Sequence, residues 1–333
     1  MKAIEIKDLW KSFRVRGRSI EAVRGLTLAI EEGEIFGFLG PNGAGKTTTL
    51  RILATLLPPD KGTVSIAGYN LLRQSGRVRE HIGYVGQTGG ADGMASGRDN
   101  LLLQTRAYGM TKAEGKRRVQ ELIEQLELTA FADRPVRSYS GGQRRRLDLA
   151  LGIVHRPKLL FLDEPSTGLD PQSRARLWEE VRKLHSAGTT VFLTTHYLDE
   201  ADNLCARLAI IDGGKIVAEG TPAQLKQQIA GDVVTLSLAD RDGQLTQARA
   251  ILQDQTFVRE IQQDGQRLQV YVERGEEVLA TMLRLLEGQG IAVQTIALAR
   301  PSLDDVFLRQ TGRSLREETT NLPARAYGYA RAS

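Results

Sequence analysis

Eight residues constrain this chain more than any others: Gly40-Pro41-Asn42-Gly43-Ala44-Gly45-Lys46-Thr47, which fits G-x-x-x-x-G-K-[ST]. Directly before them stands Ile35-Phe36-Gly37-Phe38-Leu39, a short apolar run of the kind that forms a strand buried on both faces of a parallel sheet. After them come Leu50, Ile52, Leu53 and Leu56, spaced as the apolar face of a helix. A strand, a glycine loop and a helix in that order make a phosphate cradle. The glycines let backbone N–H groups converge on an anion, and the helix adds the positive end of its dipole. Lys46 then places an ammonium among the terminal phosphates, and the Thr47 hydroxyl is positioned to ligate magnesium.

The rest of the first two-thirds alternates strands and helices, which predicts a mostly parallel sheet flanked by helices. Ile4, Ile6 and Leu9 read as a strand before the basic stretch Arg14, Arg16, Arg18, and Leu26–Ile30 ends at the polar break Glu31-Glu32-Gly33. Thr111 and Glu114 form a T-x-x-E capping box for a helix whose Val119, Leu122, Ile123 and Leu126 share one face. Helices are expected at Leu147–Val154 and around Arg174–Leu184, and strands at Leu159–Leu162 and Val191–Leu193. Asp212-Gly213-Gly214 is a hairpin turn, and Thr221-Pro222 opens a short helix through Ile229.

Two further clusters complete the chemistry. The apolar run Leu159–Leu162 ends in Asp163-Glu164. Beside a phosphate cradle, Asp163 is placed to approach magnesium and Glu164 to take a proton from the attacking water. The run Val191–Thr195 ends at His196, which can sense the γ-phosphate and orient the water or Glu164.

Tyr139-Ser140-Gly141-Gly142-Gln143, followed by Arg144-Arg145-Arg146, resembles the ABC signature motif, with Tyr139 where that family usually has leucine. Phe13 resembles the aromatic residue that stacks on adenine, Gln87 the Q-loop glutamine, Ser166–Asp170 the D-loop and His196 the switch histidine. The resemblance spans about residues 4–230. It implies a P-loop NTPase of the ABC ATPase type: an α/β domain with a mostly parallel sheet, an antiparallel β subdomain and a helical subdomain. It implies ATP contacts from Phe13, the loop Gly40, Pro41, Asn42, Gly43, Ala44, Gly45, Lys46 and Thr47, and Thr48. It implies magnesium at Thr47, Gln87 and Asp163, and catalysis by Lys46, Glu164 and His196. Ser140, Gly141, Gly142 and Gln143 would face the ATP of a second copy, with Asp170 in the D-loop, so the working unit implied is a homodimer. Ser140 as a plain helix N-cap is compatible with that role.

Beyond Gly231 the pattern changes to β-α-β-β-α-β with an added helix at Ser302–Thr311, a small α+β module of ferredoxin-like order over 231–312. Residues 313–333 are rich in charges and small residues and are expected to be a disordered tail. Pro301-Ser302-Leu303-Asp304-Asp305-Val306-Phe307-Leu308 with Thr311-Gly312 resembles the ending of daunorubicin/doxorubicin-resistance-type ATP-binding subunits. That branch implies a separate permease and export of a drug, antibiotic or other amphiphilic compound, with this chain peripheral on the cytoplasmic membrane face. The glycine-rich stretch Thr88–Arg98 suits a mobile coupling surface or simply a long flexible loop.

Composition excludes several classes. Among 333 residues there is one cysteine, Cys205, so neither an internal disulfide nor a cysteine-based zinc cluster is available. No apolar run approaches the roughly 18 residues of a membrane span, and Met1–Trp10 is too charged for a secretory leader. The formal charge of +5 fits a solvated basic face better than a surface for nucleic acid or an anionic membrane. A soluble ABC ATPase acting on nucleic acid or the ribosome is the alternative. It is disfavoured because the chain has one ATPase domain and no long insertion between cradle and signature. A non-hydrolysing ATP binder would lack the acid or the histidine, and both are present.

Overall fold

Alternating β-rich sequence at the start forms longer strands than the sequence pattern marks. In the computed structural model, β1 (Lys2–Val15) and β2 (Arg18–Glu31) pair antiparallel along their length, so the basic stretch belongs largely to strand. Leu26 lies mid-strand, not at a strand start. The structure describes residues 1–15, 17–228, 231–238, 243–264, 267–299 and 302–312. Arg16, Ile229, Pro301 and the tail 313–333 lie outside the described residues.

After β3 (Ile35–Leu39) and α1 (Lys46–Leu53), β4 (Lys61–Ile66) and β5 (Tyr69–Asn70) join the first two strands in an antiparallel sheet ordered β2-β1-β4-β5. Then follow α2 (Ser75–His81), β6 (Ile82–Val85) and a helical stretch of α3 (Gly97–Ala107), α4 (Lys112–Gln125) and α5 (Gly141–Gly152). Thr111 and Glu114 cap α4 reciprocally, and Val119, Leu122 and Ile123 are its buried face. The capped apolar spacing is thus sufficient to form that helix. Helix α5 starts six residues ahead of Leu147, at Gly141, because Ser140 supplies its N-cap.

The remaining elements of the first unit are β7 (Leu159–Asp163), α6 (Pro171–Ser186), β8 (Thr190–Thr195), α7 (Leu198–Leu204), β9 (Arg207–Asp212) and β10 (Lys215–Gly220). They complete a six-stranded sheet ordered β10-β9-β3-β8-β7-β6. Its neighbours are parallel except for the β9–β10 hairpin at Gly213-Gly214. Strands β3, β7 and β8 are buried at every position, which is why they read as unbroken apolar runs. Phe192 stands at their centre, with ring centroids 5.8 Å from Phe36, 5.6 Å from Phe38 and 5.9 Å from Phe161. Each buried ring contributes roughly 1.5–3 kcal/mol, so this cluster fixes the strand order that aligns the loops above it.

The chain divides into two compact units, Met1–Pro222 and Ala223–Ser333, with α8 (Pro222–Gln228) at the junction. The division falls ahead of Gly231, where the sequence pattern changes. The second unit holds β11 (Asp232–Leu238), α9 (Gln244–Gln253), β12 (Val258–Asp264), β13 (Arg267–Val272), α10 (Gly275–Gly288), β14 (Val293–Ala299) and α11 (Leu303–Thr311). Its antiparallel sheet is ordered β12-β13-β11-β14. Val234, Leu236, Leu268 and Val270 pack under Ala248, Leu252, Met282 and Leu286 of α9 and α10. Ser302 and Asp305 close a capping box on α11, and Gly312 ends it in the left-handed region.

Candidate functional site

Parallel neighbours bring the carboxyl ends of β3, β8, β7 and β6 to one edge, since Leu39 pairs with Thr195, Asp163 with Thr194 and Val85 with Leu162. In open α/β sheets that edge is where ligands bind.

The glycine loop leaves β3 here. Gly40 N–H donates to the Thr195 carbonyl at 3.3 Å, Ala44 N–H to the Pro41 carbonyl at 3.3 Å, and Gly214 N–H to the Ala44 carbonyl at 3.0 Å. Asn42 and Gly43 at the loop's tip are exposed, while Thr48 is half-buried on the first turn of α1. Gly45 has φ 106°, and a Cβ there would lie 2.3 Å from the Ala22 carbonyl oxygen, so no other residue fits. Lys46 is buried, and its Nζ donates to the carbonyls of Gly40 at 2.7 Å and Pro41 at 3.0 Å. The ammonium also lies 3.2 Å from Glu164 Oε1.

The acids stand opposite. Asp163 Oδ1 accepts from the Thr47 hydroxyl at 3.0 Å and from the Thr194 hydroxyl at 2.7 Å. Its other oxygen, Oδ2, is buried without a hydrogen-bond partner. Glu164 sits at φ 45°, a left-handed conformation uncommon for such a residue. Its N–H is held by the Thr194 hydroxyl at 3.0 Å. Glu164 Oε2 accepts from Gln87 Nε2 at 3.1 Å and from the Thr167 hydroxyl at 3.3 Å. His196 Nδ1 lies 3.3 Å from the same oxygen, out of hydrogen-bond alignment. Burial pushes the Glu164 carboxyl up, but His196 and Lys46 together outweigh it and hold it at about 2. The carboxylate is therefore ionised and, in this arrangement, weakly basic.

Five of the residues singled out from sequence thus meet around one carboxylate pair: Lys46, Thr47, Asp163, Glu164 and Gln87, with His196 at their edge. Phe13 lies elsewhere on β1. It is 37% exposed, and Lys11 Nζ stands 5.8 Å from its ring centroid. Lys11 is itself anchored to Asp60 at 2.7 Å. A half-exposed ring on a rigid strand can offer a stacking face.

Ser140 is exposed at the start of α5, where its hydroxyl accepts from Gln143 N–H at 3.2 Å and Gln143 Oε1 accepts from Ser140 N–H at 3.0 Å. Gly141 is exposed with it. A Cβ at Gly142 would lie 2.7 Å from Ser173 Oγ, and Ser173 in turn donates to Asp170, the N-cap of α6. Signature and D-loop are therefore neighbours within one chain. Tyr139 takes the usual leucine position by burying its ring edge-on to Phe131 and donating from its hydroxyl to the Phe131 carbonyl at 2.6 Å.

Sequence reasoning missed three supports. Thr194 holds both acids, and its only sequence signal is a hydroxyl within a buried apolar run. Thr167 holds Glu164. Arg145, one of three consecutive arginines, turns inward and not toward a surface of the molecule, donating to backbone carbonyls at Gly86, Asp163 and Pro165. The glycine-rich segment after Gln87 is also less free than its composition suggests. Asp92 N–H donates to Asn100, and the carbonyls of Gly93 and Ala95 accept from Arg137 and Val136. A groove of about 1100 Å³ opens beside it, lined in part by Arg51, Gln87, Gly89, Tyr108 and Asp148. No described helix is long and apolar enough to cross a membrane.

Comparison with known proteins agrees with this geometry. The ABC transporter family matches residues 23–167. A second family, the C-terminal domain of DrrA1-3-like ATP-binding proteins, matches residues 220–311. The daunorubicin resistance ATP-binding protein DrrA2 of Streptomyces coeruleorubidus is 44% identical over 87% of this chain and 90% of its own. The daunorubicin/doxorubicin resistance ATP-binding protein DrrA of Streptomyces peucetius is 40% identical over 96% and 95%. The Nod factor export ATP-binding protein I of Ralstonia nicotianae is 38% identical over 89% and 90%. Among solved structures, the dimeric ATP-binding cassette MJ0796 in a post-hydrolysis state with ADP and Pi superposes with a TM-score of 0.61 at 27% identity, over 66% of this chain and 98% of that one. The chain is an ATPase that belongs to the ATP-binding proteins of ABC transporters, in their daunorubicin/doxorubicin-resistance-type branch.

Proposed function

We propose that two copies of this chain close head to tail around ATP and drive export of a drug, antibiotic or other amphiphilic compound through a separate permease. The observation that carries the reading is the convergence of Lys46, Thr47, Asp163, Glu164 and Gln87 at one edge of the parallel sheet. The named activities of the resistance and export relatives support the class of cargo. The dimeric cassette with ADP and Pi supports the dimer.

In this reading the loop Gly40–Thr47 and Thr48 hold the phosphates, Phe13 stacks on adenine, and Ser140–Gln143 of one copy complete the other's site beside Asp170. The residues present fit a magnesium ion: Asp163 has a buried oxygen without a partner, the Thr47 hydroxyl bonds the same carboxylate, and Gln87, whose amide nitrogen now reaches Glu164, would supply its oxygen. Magnesium would neutralise phosphate charge there. Lys46, now paired with Glu164, exchanges that partner for the more highly charged γ-phosphate. Losing the ammonium raises the Glu164 carboxyl toward the basicity a proton acceptor needs. His196 remains to orient the attacking water.

Because its relatives are the ATP-binding proteins of resistance and export systems, we place the chain peripherally, on the cytoplasmic face, against a permease segment in the groove beside Gln87. The ATPase domain would run over 1–230 and the small α+β domain over 231–312. Glu164→Gln keeps the shape of the site and removes its base. It should cut ATP hydrolysis by on the order of 10²-fold or more and accumulate ATP-bound dimers in size-exclusion chromatography. Normal turnover in that variant would refute the assignment. Co-purification of a permease from membranes supports the transport reading over action on nucleic acid, whereas salt-sensitive RNA binding without one would reverse it.

A further inference from the structure

Two buried charges on α5 have no place in the phosphate chemistry, yet both touch the segment that carries Gln87. Arg145 and Asp148 are each 7% exposed and lie one helical turn apart. Arg145 Nη1 donates to the Gly86 carbonyl at 2.7 Å, Nε to Pro165 at 2.8 Å and Nη2 to Asp163 at 3.2 Å. Those carbonyls flank Gln87 on one side and Glu164 on the other. One guanidinium therefore spans the two backbone segments whose side chains meet at the 3.1 Å Gln87–Glu164 hydrogen bond.

Asp148 holds the far side of the same loop. Its Oδ1 accepts from Gly90 N–H at 3.3 Å. A Cβ at Gly89 would lie 2.6 Å from Asp148 Oδ2, so the loop passes the carboxylate at a position, φ 72°, that glycine alone serves well. Burying a charge carries a desolvation cost that its hydrogen bonds must offset. Stability alone is thus a poor account of these two residues, while the geometry of their bonds is specific.

We propose that Arg145 and Asp148 are positioning residues that clamp the Gln87 loop from both sides and carry movement of the signature end of α5 into the Gln87–Glu164 contact. The inference rests on the ATPase reading above. Helix α5 is capped by Ser140, whose capping box stiffens its first turn. A rotation of that end, when a second copy's ATP engages Ser140, turns Arg145 and Asp148 with it. Gly86 and Gly90 follow, and Gln87 between them shifts against Glu164. Coupling of this kind needs a contiguous physical chain, and these hydrogen bonds provide one.

The test uses the full chain with Asp148→Ala, Asp148→Asn and Arg145→Lys. In hydrogen–deuterium exchange without nucleotide, Asp148→Ala should speed exchange of the Gly90 amide, while Asp148→Asn, which keeps a carbonyl acceptor, should stay near wild type. In ATPase assays Asp148→Ala should lower kcat about tenfold with KM for ATP within about twofold, as expected for a small misplacement of reacting groups, and Asn should recover most of the loss. Arg145→Lys should lower kcat similarly, because an ammonium cannot fork across two segments. Unchanged Gly90 exchange in Asp148→Ala overturns the proposal. So does wild-type kcat in both Asp148→Ala and Arg145→Lys, or a kcat loss that only tracks the fraction of folded protein. If the wild-type chain fails to hydrolyse ATP, the ATPase reading fails, and exchange at Gly90 still decides whether the clamp exists.

Discussion

Lys46 Nζ lies 3.2 Å from Glu164 Oε1, and both side chains are almost wholly removed from solvent. The loop's cation and the strand's anion thus neutralise each other directly, and any phosphate that enters must compete for the cation.

That pairing, with His196, sets an acid limit on the fold. The Glu164 carboxyl is held at about 2, against an ordinary 4.5. A carboxyl lowered in the folded state contributes stability that is full above its unfolded value and is lost as pH falls through its folded one. The contribution is on the order of 3 kcal/mol at most. Denaturant unfolding at a series of pH values should show wild type more stable than Glu164→Gln above about pH 4.5, with the gap closing toward pH 2. A gap that stays constant across that window would contradict the pairing.

Removing divalent cations should abolish hydrolysis by the proposed site and leave the fold intact. Asp163→Asn tests the same point by residue. It keeps a carbonyl acceptor for Thr47 and Thr194 but removes the charge behind the unpartnered Oδ2. The magnesium concentration for half-maximal hydrolysis should rise about 10–100-fold, with a thermal midpoint close to wild type.

Gly45→Ala should be costly in two ways. The backbone at φ 106° is strained for any other residue, and the added methyl would meet the Ala22 carbonyl at 2.3 Å. Thermal denaturation should report a loss of roughly 1–3 kcal/mol, and calorimetric titration with ATP should show binding lost or severely weakened.

Tyr139 and Gly97 should behave as one unit. A Cβ at Gly97 would lie 2.4 Å from the Tyr139 hydroxyl, which is fixed by its bond to the Phe131 carbonyl. Tyr139→Phe removes that bond at a cost of about 0.5–1.5 kcal/mol, since the carbonyl keeps the Arg134 N–H at 3.0 Å. Gly97→Ala should destabilise the wild type more than it destabilises Tyr139→Phe, and a double-mutant cycle in denaturant would measure the difference. Strict additivity would show that the two residues do not share that space.

The phosphate loop was legible from the start because its chemistry is local: glycines, a lysine and a threonine at fixed spacing between an apolar strand and an apolar helix. The same holds for the capping box at Thr111 and the hairpin at Gly213-Gly214, each formed by residues a few positions apart. Unbroken apolar runs at Ile35–Leu39, Leu159–Leu162 and Val191–Leu193 marked the buried parallel strands, since burial on both faces leaves no polar alternation. Less was legible where pairing, not pattern, sets the boundary. The strands β1 and β2 run into the basic stretch, and α5 begins at Gly141, well before its apolar residues, because long-range partners and the Ser140 cap decide those ends.

What the sequence by itself determined is the list of parts: cradle, two acids, histidine, glutamine and signature, with the order of strands and helices that carries them. What only the tertiary structure decided is which of these touch. Lys46, Gln87, the pair Asp163-Glu164 and His196 are far apart in sequence, and the parallel register around Phe192 aligns the strand ends so that they share one site. Arg145 makes the same point, since three consecutive arginines look alike in sequence. The phase of α5 alone turns the middle one inward, where it donates to the carbonyls beside Gln87 and Glu164.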